Sequence, residues 1–121
     1  MRIFKTREFA RFARREGIGD KALSDAIDRA ERGLIDADLG GHLIKQRIAR
    51  PGQGRRGGYR TIIVYGRSVR ALFVMGFAKS ALDNIDDDDL ARLKAFAAQV
   101  MSWTEAQVKR LLDSKDWQEL R

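Results

Sequence analysis

Residues 42–79 read HLIKQRIARPGQGRRGGYRTIIVYGRSVRALFVMGFAK, and this stretch decides the fold. Three of its segments are rich in isoleucine, valine, tyrosine and phenylalanine and are bounded by glycine or proline, as strands are. We predict strands over 43–50, 59–65 and 71–78. Gly66-Arg67-Ser68 joins the second strand to the third and is short enough for a tight hairpin, so an antiparallel meander is the simplest topology.

The same stretch concentrates positive charge. It contains no Asp or Glu, and its nine cations outnumber the formal net charge of the whole chain, +7. They are Lys45, Arg47, Arg50, Arg55, Arg56, Arg60, Arg67, Arg70 and Lys79. Such a cluster is typical of proteins that bind nucleic acid. Backbone N–H groups of the glycine-rich run 52–58 would add anion donors, so we predict phosphate binding at this loop.

Strand alternation assigns the central cations to faces of the sheet. Lys45 and Arg47 point to one side of the first predicted strand, and Arg60 points away from Tyr59 in the second. Whether Arg60 lies beside Lys45 and Arg47 depends on the register, which the sequence leaves open. Their proximity is a hypothesis.

Before the meander, the sequence predicts an apolar strand over 1–5 and a helical hairpin. Thr6 is placed to cap a first helix that Gly17 ends. Asp20 is the candidate cap of a second helix that stops at Gly33. Residues 34–41 then form a linker.

After the meander, the pattern predicts two further helices. The run Asp86-Asp87-Asp88-Asp89 opens the first, because carboxylates favour a helix N-terminus; this reading is preferred to a metal site. Thr104 and Gln107 form a capping box at the start of the second. Residues 117–120 are a terminal strand or a tail.

The expected fold class is α+β: a small, mainly antiparallel β-sheet packed by an N-terminal helical hairpin, with one or two further C-terminal helices. A length of 121 residues fits one domain, 1–121. We divide it into a strand and helical hairpin (1–41), a basic β-meander (42–79) and C-terminal helices (80–121).

Composition excludes several functional classes. The chain has no cysteine, so it has no disulfide framework, thiolate nucleophile or cysteine-bound zinc. His42 is its one histidine, which excludes a two-histidine ribonuclease, and we expect it to be a surface or linker residue. The sequence has no signal-peptide pattern and no apolar run of transmembrane length. We expect a cytoplasmic protein that uses neither metal nor cofactor and does not contact a membrane.

The segments RIARPGQGRRGGYRTIIVY and LFVMGFAKSALDNIDDDDLARLKAFA resemble the RelE/HigB-like toxins of bacterial type II toxin–antitoxin systems, in the RelE/ParE superfamily. The closest branch carries a basic PGxGKxGGYR-type loop and a GFxKxxxxNI turn. The resemblance extends over 3–101, is specific between 45 and 89, and is weak after 103.

The resemblance implies a RelE-like fold and a toxin that binds mRNA in the ribosomal A site. Such toxins are metal-independent, ribosome-dependent endoribonucleases, or mRNA interferases, that inhibit translation and arrest growth. Cleavage proceeds by transphosphorylation through the ribose 2′-OH. A cognate antitoxin, often with a helix-turn-helix domain, neutralises the toxin.

Site residues follow from the resemblance position by position. The implied catalytic residues are Arg60, on the scissile phosphate, with Lys45 and Lys79. The implied RNA-binding residues are Arg47, Arg50, Arg55, Arg56, Tyr59 and Phe77, the last two by base stacking. The chain lacks the C-terminal tyrosine or histidine of some relatives, so the general acid and base stay open. A lysine could serve only if the surrounding arginines lowered its pKa.

Two other functions fit the same features. A ParE-like toxin would inhibit DNA gyrase without cleaving RNA, because one fold supports more than one function. A non-catalytic RNA- or ribosome-binding protein would use the basic surface for electrostatic attraction alone.

Overall fold

The computed structural model describes residues 1–50, 54–78 and 85–120, with the backbone alone at 50 and 54–57. In that part of the chain six strands and four helices form. The strands are β1 (Arg2–Thr6), β2 (Ala37–Gly40), β3 (Leu43–Arg50), β4 (Gly54–Gly66), β5 (Arg70–Ala78) and β6 (Trp117–Glu119). The helices are α1 (Arg7–Glu16), α2 (Asp20–Glu31), α3 (Asp87–Ser102) and α4 (Glu105–Asp113).

The strands form one sheet in the order β2-β3-β4-β5-β1-β6. β3, β4 and β5 make the predicted antiparallel meander. β1 lies parallel to β5, β6 pairs antiparallel with β1, and β2 pairs antiparallel with β3. The predicted α+β class with a mainly antiparallel sheet is confirmed.

One face of the sheet is covered by the α1–α2 hairpin. Thr6 caps α1 by accepting from Phe9 N at 3.1 Å, and Gly17 ends the helix at φ 72°. Apolar residues of both helices pack on Ile44, Ile63 and other inward residues of the meander. The cap of α2 differs from the prediction: Gly19 is the N-cap, and Asp20 is the first helical residue. Its carboxylate instead pairs with Lys5 at 2.8 Å.

The opposite face is covered by α3 and α4. Asp86 caps α3 by accepting from Asp89 N at 2.8 Å, and the helix begins at Asp87, within the aspartate run predicted to open it. The capping box of Thr104 and Gln107 is present at α4. Trp117 of β6 lies among the apolar residues under these helices, so the C-terminal segment is a strand of the sheet.

Two connections contain more strand than expected. β4 begins at Gly54, so Arg55 and Arg56 lie on a strand rather than in a loop. β3 and β4 still pair there, with Arg50 opposite Gly54, after a register shift between Ile48 and Arg50. The linker 34–41 likewise contains β2, since the edge of β3 offers hydrogen bonds that no local pattern reveals.

The meander has two ends. At the turn end, Val69 N donates to Gly66 O at 2.9 Å and closes the predicted tight hairpin. At the loop end, β3 finishes, β4 begins and β5 finishes. α3 starts near the loop end, where Ile85 and Leu90 line a cavity with Lys45, and finishes at the turn end, where Met101 packs against Gly66. No helix of the described residues has the length and apolar character needed to cross a membrane.

Candidate nucleic-acid interface

The loop end places Arg47 directly across from Arg60. The Cα partners of the β3–β4 ladder include Lys45 with Ile62 and Arg47 with Arg60. Directly opposed residues share a face of the sheet, so Lys45, Arg47 and Arg60 all lie on the face opposite the α1–α2 hairpin. The register therefore confirms the proximity that the sequence left as a hypothesis. We call these three residues the cationic surface.

Arg47 and Arg60 form the closer of the two kinds of antiparallel pair. Tyr65 N donates to His42 O at 2.8 Å, which marks that pair as hydrogen-bonded. Bonded and non-bonded pairs alternate along a ladder, so the 47–60 pair is non-bonded, with Cα atoms about 4.5 Å apart. Like charges directly opposite each other destabilise a sheet. A phosphate between the two guanidinium groups would remove this repulsion, because each fork can bond its oxygens.

Phe77 extends the Arg47–Arg60 pair onto β5. It is the Cα partner of Arg60, so one row of side chains crosses three strands. Phe77 is only 9% exposed and packs with Ile62 in the core beneath α3. Phe77 therefore packs beside Arg60 in this row, and little of its ring is exposed for a base to stack on.

The cationic surface has no acidic partner within the described ranges. Lys45 is half-buried, Arg47 is exposed and Arg60 is half-buried. None of the three forms an ion pair with a described carboxylate, whereas Arg2 and Lys5 of β1 both do. A mixed-charge surface would pair such groups. These cations are therefore available to an external anion.

The first turn of α3 borders this surface. One row along from Arg60, Met75 is the Cα partner of Ile62. Met75, Ile85, Asp89, Arg92 and Leu93 line a groove of about 350 Å³. Asp89 pairs with Arg92 at 2.7 Å, so this carboxylate is engaged on its own helix. The described residues contain no cluster of three His, Cys, Asp or Glu side chains placed to hold a metal.

Four of the residues implied by the resemblance are not described as side chains. Lys79 lies outside the described residues. Arg50 ends β3 and is the Cα partner of Gly54, while Arg55 and Arg56 follow on β4. Their backbone lies at the loop end, next to Arg47 and Arg60 along the same two strands.

Tyr59 lies on the opposite face from the cationic surface. It is 3% exposed, its hydroxyl donates to Glu16 Oε1 at 2.8 Å, and its ring meets Phe12 edge-on at 5.5 Å. These contacts fix the tyrosine between the sheet and α1. The structure thus separates Tyr59 from Arg60, and a base could reach its ring only if the core opened.

Two arginines of the basic stretch lie at the turn end and are engaged there. Arg70 is 8% exposed and donates from Nη1 to Val100 O at 2.7 Å and to Trp103 O at 3.1 Å. It thereby bonds two carbonyls at the C-terminal end of α3, where the regular helix hydrogen bonds stop. Arg67 donates to Glu31 O at 3.2 Å. Sequence reasoning missed this role of Arg70 because its acceptors are thirty or more positions away and two of them are main-chain atoms.

The comparison with protein families agrees with this geometry. Residues 1–120 match the family model described as the RelE toxin of the RelE / RelB toxin-antitoxin system. The chain belongs to the RelE toxin family. The match includes all six strands, the cationic surface and α4, and so extends beyond the region in which the motifs alone were specific. A search of curated protein sequences found no match. Membership makes the chain a toxin-type protein of a toxin–antitoxin system.

Proposed function

We propose that this RelE-family toxin is a metal-independent endoribonuclease that cleaves mRNA in the ribosomal A site. It acts in the cytoplasm, inhibits translation and arrests growth. A cognate antitoxin of the helix-turn-helix type binds it and keeps it inactive. Family membership supports the toxin class, and the cationic surface supports RNA as the substrate.

The observation that carries the proposal is the Arg47–Arg60 pair. Arg47 and Arg60 are directly opposed on neighbouring strands, and neither forms an ion pair with a described carboxylate. Arginine forks bond phosphate oxygens bidentately, and they stay charged at any physiological pH. This arrangement suits one phosphate of a single strand better than a protein surface of mixed charge.

The reaction needs little from the protein beyond position and charge. The ribose 2′-oxygen attacks the adjacent phosphorus and loses its proton, while the bond to the 5′-oxygen breaks and that oxygen gains a proton. The products are a 2′,3′-cyclic phosphate and a 5′-hydroxyl. Arg60 stabilises the negative charge that builds on the phosphoryl oxygens, and Arg47 and Lys45 hold the strand. Lys79, Arg50, Arg55 and Arg56 extend this grip in the proposal.

The decisive experiment induces the wild type, Arg60→Ala and Arg67→Ala in growing cells and maps the 5′ ends of mRNA. Arg67→Ala removes an arginine of the same meander at the turn end, so it is a matched control for charge. We expect new 5′ ends and growth arrest with the wild type and the control, and neither with Arg60→Ala.

Other outcomes distinguish the alternatives. Intact transcripts during wild-type growth arrest would overturn the ribonuclease proposal, and gyrase-linked DNA damage in those cells would favour a ParE-like toxin. Wild-type cells that show neither arrest nor cleavage would favour a non-catalytic RNA- or ribosome-binding protein.

A further inference from the structure

The edge of β3 that faces away from β4 is paired with β2 only as far as Lys45, and the pairing stops before Arg47. β2 pairs with β3 from Leu43 to Lys45, with Ala37 opposite Lys45. Continued for two more residues, this ladder would place Ile35 opposite Arg47. The register ends at Ala37 instead, so the N–H and C=O groups of Arg47 face outward without a partner strand. Exposed edge groups of this kind invite pairing with other chains.

Gln46 explains why β2 ends there. Its side chain is fully buried, and it donates to Ala26 O at 2.9 Å and to Leu34 O at 3.2 Å. Its Oε1 accepts from Asp36 N at 2.7 Å. The buried amide thus fixes the backbone on both sides of Ile35 in a shape that departs from a strand.

The position of Asp36 brings its side chain to Arg47. Asp36 Oδ2 accepts from Arg47 N at 2.7 Å. On the other side of the same residue, Arg29 of α2 donates from Nη2 to Arg47 O. Two side chains therefore make the hydrogen bonds that a neighbouring strand would have made, and both involve a charged group, which strengthens them.

We call these two hydrogen bonds, from Asp36 and Arg29 to the main chain of Arg47, the Arg47 bracket. The Arg47 bracket holds the backbone of the residue directly opposite Arg60. Because the 47–60 pair is the non-bonded kind, β4 makes no backbone hydrogen bond to Arg47, and the outward bonds are the ones that hold it. We propose that Asp36 and Arg29 are positioning residues that fix Arg47 opposite Arg60, so that the two guanidinium groups meet one RNA phosphate. The RNA ligand in this inference rests on the proposed function, whereas the positions of Asp36, Arg29 and Arg47 come from the structure itself.

The test is discriminating because a positioning role and a purely electrostatic role of Asp36 predict opposite changes in RNA affinity when its side chain is removed. Removing a carboxylate near a cationic surface should strengthen binding to a polyanion. Asp36→Asn removes the charge but keeps an oxygen that accepts from Arg47 N. Asp36→Ala removes the same charge together with the acceptor. A positional role therefore predicts tighter or unchanged RNA binding for Asp36→Asn and weaker binding for Asp36→Ala.

The probe is a single-stranded RNA hexanucleotide with 2′-O-methyl groups, which keeps the phosphates and cannot be cleaved. We expect Asp36→Ala to lose about five- to tenfold in affinity, the effect of one misplaced phosphate contact. Arg29→Gln should lose affinity as well, although loss of its own charge contributes there. Asp38→Ala is the matched control: its carboxylate accepts from Gly40 N at 2.9 Å near the turn end, and its removal should not weaken binding.

A second readout needs no RNA. Hydrogen exchange of the Arg47 amide, followed by NMR, should be slow in the wild type and Asp36→Asn and at least tenfold faster in Asp36→Ala. Equal exchange rates in the two variants, or equal RNA affinities, would overturn the inference. A different outcome is that neither the wild type nor any variant binds RNA measurably, while the difference in exchange rate is present. The proposed function would then fail, and the role of Asp36 in holding Arg47 would remain supported.

Discussion

The two ends of the meander carry similar residues in different states. At the turn end, Arg70 bonds two carbonyls at the end of α3, and Arg67 bonds Glu31 O. At the loop end, Arg47 and Arg60 are directly opposed, and neither forms an ion pair with a described carboxylate. Both pairs belong to one acid-free stretch, so the count of cations does not distinguish them. Their contacts distinguish them: the arginines whose side chains bond other parts of the chain stabilise the fold, and the two that form no ion pair with a described carboxylate belong to the candidate site.

The largest expected effect is at the turn end. Arg70→Met removes the side-chain donor to the carbonyls of Val100 and Trp103 and should lower the free energy of unfolding by about 2–3 kcal/mol. Urea unfolding followed by circular dichroism measures it. Arg60→Ala, at the loop end, should change stability by less than about 0.5 kcal/mol. Equal losses in both variants would contradict the contrast between the two ends.

The next effect is on RNA affinity at the loop end. Arg47→Ala and Arg60→Ala should each weaken binding of the 2′-O-methyl hexanucleotide about tenfold and reduce the salt slope by about one, because each removes a phosphate contact. Fluorescence anisotropy over a range of salt concentrations measures both quantities. Arg67→Ala, the turn-end control, should behave as the wild type. A uniform loss in all three variants would mean that net charge alone governs binding.

A smaller effect concerns the carboxylate that holds the turn end to α2. Glu31 accepts from the Tyr65 hydroxyl, from Ser68 N at 3.1 Å and from Ser68 Oγ at 3.2 Å. The Tyr65 bond is the main cause that lowers the pKa of Glu31 below its usual 4.5, while burial raises the pKa of Tyr65. Glu31→Gln should cost about 1 kcal/mol at pH 7.

The pH dependence of that effect has a definite sign. Because the folded protein lowers the pKa of Glu31, its contribution is fully present above the unfolded value near 4.5 and is lost as pH falls through the folded value. The stability difference between wild type and Glu31→Gln should therefore shrink below pH 4.5. Urea titrations between pH 7 and 3 test this, and a difference that stays constant over the range would contradict it.

The smallest effect is at His42, also at the turn end. This residue is exposed and has a φ of 66°, a conformation that glycine adopts more easily. His42→Gly should stabilise the fold by less than about 1 kcal/mol and leave mRNA cleavage unchanged. Thermal unfolding and 5′-end mapping measure the two quantities. Loss of cleavage in this variant would move the site toward the turn end.

Much of the fold could be predicted because its signals are local. The alternation in 43–50, the cap at Thr6, the aspartate run at the start of α3 and the capping box at Thr104 act within a few residues, and the structure contains each of them. β2 was missed because four residues with no apolar alternation become a strand only beside β3. The cap of α2 was misplaced by one residue, since Asp20 pairs with Lys5 instead of capping.

The candidate site could be predicted in part. Alternation placed Lys45 and Arg47 on one face and Arg60 on the face opposite Tyr59, and the register then brought the three cations together. The resemblance assigned Tyr59 to base stacking, but alternation had already put it behind the sheet, where Glu16 and Phe12 hold it. The burial of Tyr59 follows from packing against α1, which no motif contains.

The sequence by itself determined most of the elements of this protein, their order and the concentration of positive charge, because propensity, alternation and capping depend on neighbouring residues. Tertiary structure alone decided which cations are free to bind an anion. Glu31, Val100 and Trp103 reach the turn-end arginines from distant positions. Asp36 and Arg29 bond the backbone of Arg47, whose side chain forms no ion pair with a described carboxylate. Such contacts depend on the packing of helices on the sheet, which the sequence does not show residue by residue.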